Sequence, residues 1–229
     1  MLELNKIYNE DCLEGMKRIK NGSVDLVVTD PPYLIKYKTN YRKDKSHKFC
    51  NEILNDDNEE MIKNYIKECY RIMKDDTAMY MFCNLDKVEF FKAELSKYFK
   101  IKNMIIWVKN NWTAGDLKAG FGKQYEIIFL VNKGRKLFNG KRITDVWQFS
   151  RVAGKQQIHQ NQKPIDLIEN CILKHSDEQR IVFDGFMGGG TTAIACLNTN
   201  RNYIGFELDN EYYQGATERI LNHKKKELA

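Results

Sequence analysis

A short apolar run that ends abruptly constrains the fold more than any other stretch of this chain. Val24–Thr29 is mostly apolar and β-branched, and Asp30, two prolines and Tyr33 follow it directly. An apolar run bounded by turn residues predicts a buried strand of a parallel sheet. Because proline cannot donate a backbone hydrogen bond to a central strand, the chain must leave the sheet at Pro31. We therefore expect Asp30 and Tyr33 at the carboxyl edge of a parallel sheet.

The remainder of the chain alternates between helical and strand patterns. Apolar periodicity predicts helices over residues 11–20, 58–73, 86–98 and 164–175, and two more that begin near Thr191 and Asn210. Further strands are predicted over residues 77–83, 101–109, 125–132, 180–184 and 202–207. This alternation predicts an α/β fold of Rossmann-like architecture, with a mostly parallel twisted sheet and helices on both faces.

Composition narrows the class of protein. The chain has 229 residues, of which 42% are hydrophobic, enough for a single domain over residues 1–229. No apolar run approaches the roughly 20 residues of a membrane span, and no signal peptide is visible at the N-terminus. The six cysteines are scattered without a CxxC pair, so we expect reduced thiols, a cytoplasmic protein and no metal site.

Positive charge is unevenly distributed along the chain. The net charge is +6, and two segments with little apolar periodicity are rich in lysine and arginine. One is a basic loop over residues 36–51, in which tyrosines and a phenylalanine separate Lys36, Lys38, Arg42, Lys43, Lys45 and Lys48. The other covers residues 133–158 and contains Lys141 and Arg142. Basic residues with interleaved aromatics suit a polyanion such as nucleic acid, although two solvated loops would show the same pattern.

A second unusual element is Ile181–Thr192, with the sequence IVFDGFMGGGTT. A predicted strand ends at Asp184, and three glycines lead into a helix whose free N–H groups can bind a ligand. The next strand ends at Glu207, whose carboxylate can accept hydrogen bonds from both hydroxyls of a ribose. Alone, the glycine-rich turn is equally compatible with a packing turn or a dinucleotide site, and Glu207 with an acid that faces water.

Taken together, the two elements resemble a known family. The chain is similar to the amino-group DNA methyltransferases that use S-adenosylmethionine, and within them to the β class, whose catalytic motif precedes the cofactor motif in a circularly permuted order. The resemblance covers nearly the whole chain and rests on segments that occur in the family's order. These segments are NEDCLEGMKRIKNGSVDLVVTDPPY, MKDDTAMYMFCN, IIWVKNN, QYEIIFLVNKG, HQNQKPIDLIE, FDGFMGGGTTAIA and IGFELDNEYYQGATERI.

The resemblance implies a catalytic corner at Asp30, Pro31, Pro32 and Tyr33. An exocyclic amine is a poor nucleophile because its lone pair is delocalised into the ring. The Asp30 carboxylate and the Pro31 carbonyl would hold both N–H bonds and direct the lone pair at the methyl group. Tyr33 would stack on a base flipped out of the duplex. Positioning would supply most of the rate enhancement because the sulfonium is already a strong electrophile.

The resemblance also implies further site residues. Asp184, Phe186, Gly188 and Gly190 would line the cofactor, Glu207 would hold its ribose, and Asp11 and Cys12 would meet its adenine; Lys163, Thr191 and Thr192 would lie near the methionine carboxylate. Cys12 has an equally good interpretation as a small buried apolar residue. Lys109 matches a position near the target base, as does Trp107, which has an equal chance of being a core residue. Three departures from the family pattern are Gly185 for proline, Gly189 for serine and Gln160–Asn161 for Pro-Thr.

The residue pair Thr29–Asp30 favours adenine over cytosine as the target, because DPPY usually accompanies adenine-N6 methylation and SPPY cytosine-N4 methylation in this class. The implied partners are S-adenosylmethionine, double-stranded DNA, a second copy of the chain and a restriction endonuclease, in a bacterial or phage setting. Residues 133–158 would recognise the target, with 36–51 as a second contact loop.

The remaining alternatives are transfer to cytosine N4, to RNA or to a protein glutamine, a nucleotide-dependent dehydrogenase, and a DNA-binding regulator with an inactive methyltransferase fold.

Overall fold

The protein is described by a computed structural model that covers residues 2–35, 55–112, 118–152 and 162–227. For residues 226 and 227 only the backbone is described. In chain order its elements are β1 (Lys6–Tyr8), α1 (Cys12–Met16), β2 (Val24–Thr29), α2 (Glu59–Ile72), β3 (Met73–Cys83), a 3₁₀ turn (Leu85–Lys87), α3 (Val88–Ser96), β4 (Lys100–Val108), β5 (Tyr125–Lys133), β6 (Val146–Gln148), α4 (Ile165–His175), β7 (Ile181–Asp184), α5 (Thr191–Asn198), β8 (Asn202–Phe206) and α6 (Asn210–Glu227).

The strands form one eight-stranded sheet in the order β1-β8-β7-β2-β3-β5-β4-β6. Within this sheet β5 runs antiparallel to both of its neighbours, and every other pair is parallel. The carboxyl ends of the parallel strands and the beginning of β5 therefore share one edge of the sheet, here called the catalytic edge. The opposite edge holds the beginnings of the parallel strands and the end of β5.

Two apolar cores cover the two faces of the sheet. Alternate residues of the central strands point to opposite sides, so Val27 packs towards α1, α2 and α3, and Val28 packs towards α4 and α5. The central strands are buried on both faces, which explains why their sequences are nearly continuous apolar runs. Helix α2 contributes a full apolar stripe to the first core through Ile62, Tyr65 and Ile66.

The predicted fold class is confirmed by this three-layer arrangement, and three details of the prediction were wrong. Strands β1 and β6 were not predicted, and β6 lies inside the 133–158 segment that was expected to lack regular structure. Helix α1 ends at Met16 instead of continuing to Lys20. Strand β3 begins at Met73, immediately after α2, instead of at Thr77. In the described part of the chain, no helix combines the length and apolar character that a membrane span requires.

Candidate active site

The two sequence elements that suggested a function meet at the catalytic edge. Strands β2 and β7 are neighbours, with Leu26 opposite Val182 and Val27 opposite Phe183. Asp30 directly follows β2, and Asp184 is the last residue of β7. Residues that are distant in the sequence therefore form one site because the sheet order places β7 beside β2.

Each oxygen of the Asp30 carboxylate accepts from a donor of the protein. Lys163 Nζ lies 2.5 Å from Asp30 Oδ2, and the Tyr33 hydroxyl donates to Oδ1. Lys163 Nζ also lies 3.2 Å from the Tyr33 hydroxyl oxygen and 5.0 Å from the centre of the Phe82 ring. The ammonium of Lys163 thus lies in the catalytic corner, and its predicted position near a methionine carboxylate stays a prediction.

Glu126, which sequence reasoning missed, completes this cluster. It is the second residue of β5, and the antiparallel direction of that strand brings it to the catalytic edge. Glu126 Oε2 lies 3.2 Å from Lys163 Nζ, and Glu126 Oε1 lies 2.5 Å from Lys109 Nζ. Two carboxylates and two ammonium groups therefore alternate in the order Asp30, Lys163, Glu126, Lys109, and their formal charges cancel.

Electrostatics distinguishes the two carboxylates of this cluster. Burial raises the pKa of Asp30 despite the charge of Lys163, and the nearby Glu126 raises it further. Burial also opposes ionisation of Glu126, but Lys163 and Lys109 together outweigh it and lower the pKa of that carboxyl. Burial raises the pKa of Tyr33 well above its ordinary value, so the phenol stays neutral and donates a hydrogen bond. Glu126 is thus the more firmly ionised carboxylate, and Asp30 the better proton acceptor.

The turn after the catalytic corner has an unusual backbone conformation. Leu34 has φ of 60°, in the left-handed region that a leucine rarely adopts. Its N–H donates to Asp56 Oδ1 at 2.7 Å, and the Asp56 side chain is buried. Asp56 therefore stabilises the strained turn that directs the chain away from Tyr33, a function that no sequence motif indicated.

Tyr65 of α2 links the catalytic and cofactor elements. Its hydroxyl shares a 2.7 Å hydrogen bond with the Thr29 hydroxyl and accepts a 3.2 Å bond from the N–H of Gly185. A Cβ added at Gly185 would come within 2.4 Å of the Tyr65 ring. The departure from proline at position 185 thus has a physical explanation. The Tyr65 ring fills the space that a proline side chain would need, and the Tyr65 hydroxyl accepts from a backbone N–H that proline lacks.

The glycine-rich turn is built as the sequence predicted. Gly188 and Gly190 have φ of 50° and 74°, which favours glycine, and Gly190 caps the N-terminus of α5. Gly188 N–H donates to Glu207 Oε2 at 2.7 Å, and the N–H of Asp209 donates to Oε1 at 2.8 Å. Burial raises the pKa of Glu207. The half-buried Glu207 carboxylate is therefore held in place by backbone groups, and its oxygens retain capacity to accept further bonds.

Asp184 is buried beneath this turn. Its carboxylate accepts from the Phe186 N–H at 3.0 Å and from the Thr192 hydroxyl at 2.6 Å, and burial raises its pKa to about 7. The Thr191 hydroxyl donates to the backbone oxygen of Lys163 at 3.4 Å, which joins α5 to the segment that carries Lys163. These bonds show that Asp184 and Thr192 fix the shape of the turn.

The first turn of α1 adjoins the same region. Asn9 donates to the backbone oxygen of Glu207 at 2.8 Å, so the following residues lie beside the end of β8. Asp11 caps α1 by accepting from the N–H groups of Leu13 and Glu14. Cys12 is buried in the core, as its alternative interpretation required. Contacts of Asp11 and Cys12 with an adenine stay predictions.

The structure does not bring together all of the predicted DNA-binding residues. Lys109 pairs with Glu126 at the catalytic edge, and the neighbouring Trp107 is buried, which settles the open question in favour of a core residue. Lys141 and Arg142 follow the end of β5 and therefore lie towards the opposite edge, where Lys174 at the end of α4 donates to the Lys141 carbonyl.

The remaining predicted DNA contacts, within residues 36–51, lie outside the described residues, as does the part of 133–158 between 153 and 158. A different basic and aromatic segment, the β4–β5 loop, leaves the catalytic edge and carries exposed Trp112 and Phe121. Among the described residues, no group of histidine, cysteine, aspartate or glutamate is arranged to hold a metal ion.

Comparison with known proteins places this architecture in a family. Residues 24–218 match the family model described as DNA methylase, so the chain belongs to the DNA methylase family. Among curated relatives, the Type II methyltransferase M.HinfI of Haemophilus influenzae is 29% identical, over 96% of this chain and 69% of its own length. The DNA adenine methyltransferase YhdJ of Escherichia coli is 28% identical, over 95% of this chain and 83% of its own length.

A solved structure supports the same placement. The M1.HpyAVI–SAM complex is 26% identical, and the match covers 94% of this chain and 98% of that one with a TM-score of 0.73. The similarity therefore extends through the sheet and both helical layers. The permuted order of motifs that the sequence suggested stays a prediction.

Proposed function

We propose that the protein transfers the methyl group of S-adenosylmethionine to the N6 amine of an adenine in DNA. The observation that carries this proposal is that Asp30 follows β2 and the glycine turn follows β7, the neighbouring strand, while Glu207 follows β8 on the other side of β7 and bonds Gly188. Support comes from the DNA methylase family and from the relative named as a DNA adenine methyltransferase.

Asp30 and Pro31 perform the central task of this mechanism. Two acceptor oxygens hold the two N–H bonds of the amine and direct its lone pair outwards, towards the glycine turn. Pro31 and Pro32 fix the backbone, so the carbonyl does not have to reorient in each cycle. The raised pKa of Asp30 suits this carboxylate to receive the proton that the amine loses when it is methylated.

The residues of the glycine turn fit the cofactor that the family implies. The positive φ of Gly188 and Gly190 favours residues without a side chain and so allows close approach of a ligand to the backbone. Glu207 presents carboxylate oxygens to a ribose, and Phe186 supplies an aromatic surface packed edge-on against Tyr65. S-adenosylmethionine supplies an electrophilic methyl group there, and the protein's task is to orient it towards Asp30.

The choice of adenine is tested by expression in a host that lacks DNA methylation. We expect N6-methyladenine in a short defined sequence of the host genome, detected by sequencing of modified bases and by mass spectrometry of nucleosides. N4-methylcytosine as the sole product would overturn the adenine assignment and retain the amino-methyltransferase class. Absence of both from DNA, with methyl transfer to RNA or protein, would overturn the DNA assignment.

The catalytic role of Asp30 is tested with a matched pair of variants on one strand. Asp30→Asn should lower kcat at least about 10²-fold. The amide cannot take up a proton, and its NH₂ group would replace one of the acceptor oxygens that face the target amine. Asp25→Asn changes the same kind of residue at the other end of β2, where Asp25 pairs with Lys74 at 2.6 Å, and should leave kcat unchanged. Titration with S-adenosylhomocysteine should give similar affinities for both variants and the wild type.

DNA contact by residues 36–51 and 133–158, dimer formation and a restriction partner remain part of the proposal. If Lys43 and Lys45 contact phosphates, their substitution should weaken binding at all DNA sequences and reduce its salt dependence. Sedimentation of the active protein with DNA tests the dimer, and an active monomer would exclude it.

A further inference from the structure

The hydrogen bonds of Asp30 raise a question about the proposed reaction, on which the following inference rests. Lys163 engages Oδ2 and Tyr33 engages Oδ1, so protein donors occupy both oxygens of the carboxylate. Each oxygen can accept a further bond, so an amine that donates to Asp30 either shares an oxygen with the protein donor or displaces that donor. The ammonium of Lys163 is the group whose withdrawal opens Oδ2.

Lys163 cannot withdraw into an apolar environment. Its side chain is only 7% exposed, and an unpaired ammonium in such a place is strongly disfavoured. Glu126 Oε2, at 3.2 Å from the same nitrogen, is a second carboxylate already within reach. Glu126 is itself held by Lys109 from the end of β4, at 2.5 Å, so its position does not depend on Lys163.

We propose that Glu126 is a positioning residue that retains the Lys163 ammonium when the target amine takes the Oδ2 side of Asp30. In this arrangement the four alternating charges stay balanced before and after the base enters. Before the target base enters, Lys163 thereby keeps the Asp30 carboxylate ionised and oriented. Glu126 makes the contact between Lys163 and Asp30 reversible, because it offers the ammonium a second carboxylate. Neither residue needs to touch the transferred methyl group.

Replacement of Glu126 by glutamine removes the charge and preserves the shape. Lys163 would then lose the charge of one of its two carboxylate partners, and the incoming amine would compete with the remaining Asp30–Lys163 ion pair. We expect Glu126→Gln to lower kcat by on the order of 10²-fold, a typical cost of disturbed positioning, with little change in KM for DNA. Glu126→Asp retains the charge and should lose roughly tenfold less than Glu126→Gln.

The pH dependence separates this role from a merely structural one. Five titratable groups face Asp30. They are Tyr33 in the loop after β2, Cys83 at the end of β3, Glu126 in β5, Lys163 in the segment before α4 and Asp184 at the end of β7. The negative charge of Glu126 raises the pKa of Asp30. Its removal should therefore shift the acid limb of the kcat profile to lower pH, whereas Glu126→Asp should leave that limb near its wild-type position.

A second measurement does not depend on activity. The carboxyl titration of Asp30 can be followed by ¹³C NMR of protein labelled at aspartate carboxyls, with Asp30→Asn to assign the resonance. We expect a lower midpoint in Glu126→Gln than in the wild type. Glu94→Gln is the matched control, because it removes a carboxylate paired with Lys97 at 2.6 Å on α3, away from the site.

The outcomes distinguish this inference from the proposed function. A wild-type protein that transfers no methyl group to DNA would refute the proposed function, and the NMR titration would still test the coupling between Glu126 and Asp30. If Glu126→Gln keeps the wild-type kcat, or if its Asp30 midpoint equals that of Glu94→Gln, the inference is overturned while methyl transfer by the wild type stands.

Discussion

Removal of the Tyr65 hydroxyl should weaken the junction between the two halves of the candidate active site. In Tyr65→Phe, the Gly185 N–H and the Thr29 hydroxyl would lose the partner that they now share at 3.2 and 2.7 Å in a fully buried position. Each buried hydrogen bond contributes about 1 kcal/mol, and an orphaned buried donor costs about 1–3 kcal/mol. We therefore expect the free energy of unfolding to fall by about 2–3 kcal/mol.

The variant should also lose function, because the hydroxyl bridges Thr29 at the end of β2 and Gly185 after β7. Urea denaturation followed by circular dichroism gives the stability, and titration with S-adenosylhomocysteine gives the cofactor affinity. Tyr80→Phe is the control: its buried hydroxyl bonds His175 Nδ1 at 2.6 Å on the other face of the sheet. We expect Tyr80→Phe to reduce stability and to leave cofactor affinity and kcat unchanged.

Two results would refute this reasoning. One is a stability change below about 0.5 kcal/mol in Tyr65→Phe, the range of ordinary surface substitutions, which would mean that the buried groups find other partners. The other is an equal loss of cofactor affinity in both variants, which would mean that general destabilisation, and not the link between the strands, reduces function.

Three further substitutions test other parts of the site. Gly185→Pro, which restores the residue more common in the family, should destabilise the protein in thermal unfolding because its ring would clash with Tyr65 at a Cβ distance of 2.4 Å; increased stability would contradict this packing. Asp184 has a folded pKa of about 7 against an ordinary 3.8, so its contribution to wild-type stability should be complete below the ordinary value and be lost as the pH rises through about 7. Asp184→Asn should lack that loss in urea unfolding, and parallel pH curves for the two proteins would refute the shift. Phe121→Ala should leave stability unchanged but weaken DNA binding about fivefold or more by loss of base stacking, measured by fluorescence anisotropy; equal affinities would exclude a contact there.

The predictable part of the fold is the part with strong apolar patterning. Buried strands such as β2 and β7 and the amphipathic helix α2 were recognisable because burial on two faces or on one stripe leaves a clear pattern. The edge strands β1 and β6 are three residues each and carry exposed polar side chains, so no periodicity could reveal them. The residues MKDD at the beginning of β3 hid its true start for the same reason.

The candidate site could be predicted from the sequence where a motif carries its own chemistry. The DPPY corner and the glycine turn were identified by sequence, and the structure places them on adjacent strands. Glu126 was not identified, because a single glutamate at the start of an apolar strand gives no signal until the strand direction is known. Arg219 of α6, which donates to the Gly189 carbonyl at 2.7 Å, was missed because the contact depends on helix packing alone.

The strand order also dictates when this protein can fold. Strands β8 and β7 lie between β1 and β2, although they are the last two strands in the sequence. The N-terminal strand therefore has no partner in the sheet until residues 202–206 have been synthesised, and one side of β2 stays open until residues 181–184 have been synthesised. An open strand edge is a site for pairing with other chains, so a nascent or truncated protein is exposed to aggregation. The glycine turn that we propose as the cofactor site thus belongs to the segment whose insertion completes the sheet, and ligand binding there should favour late steps of folding.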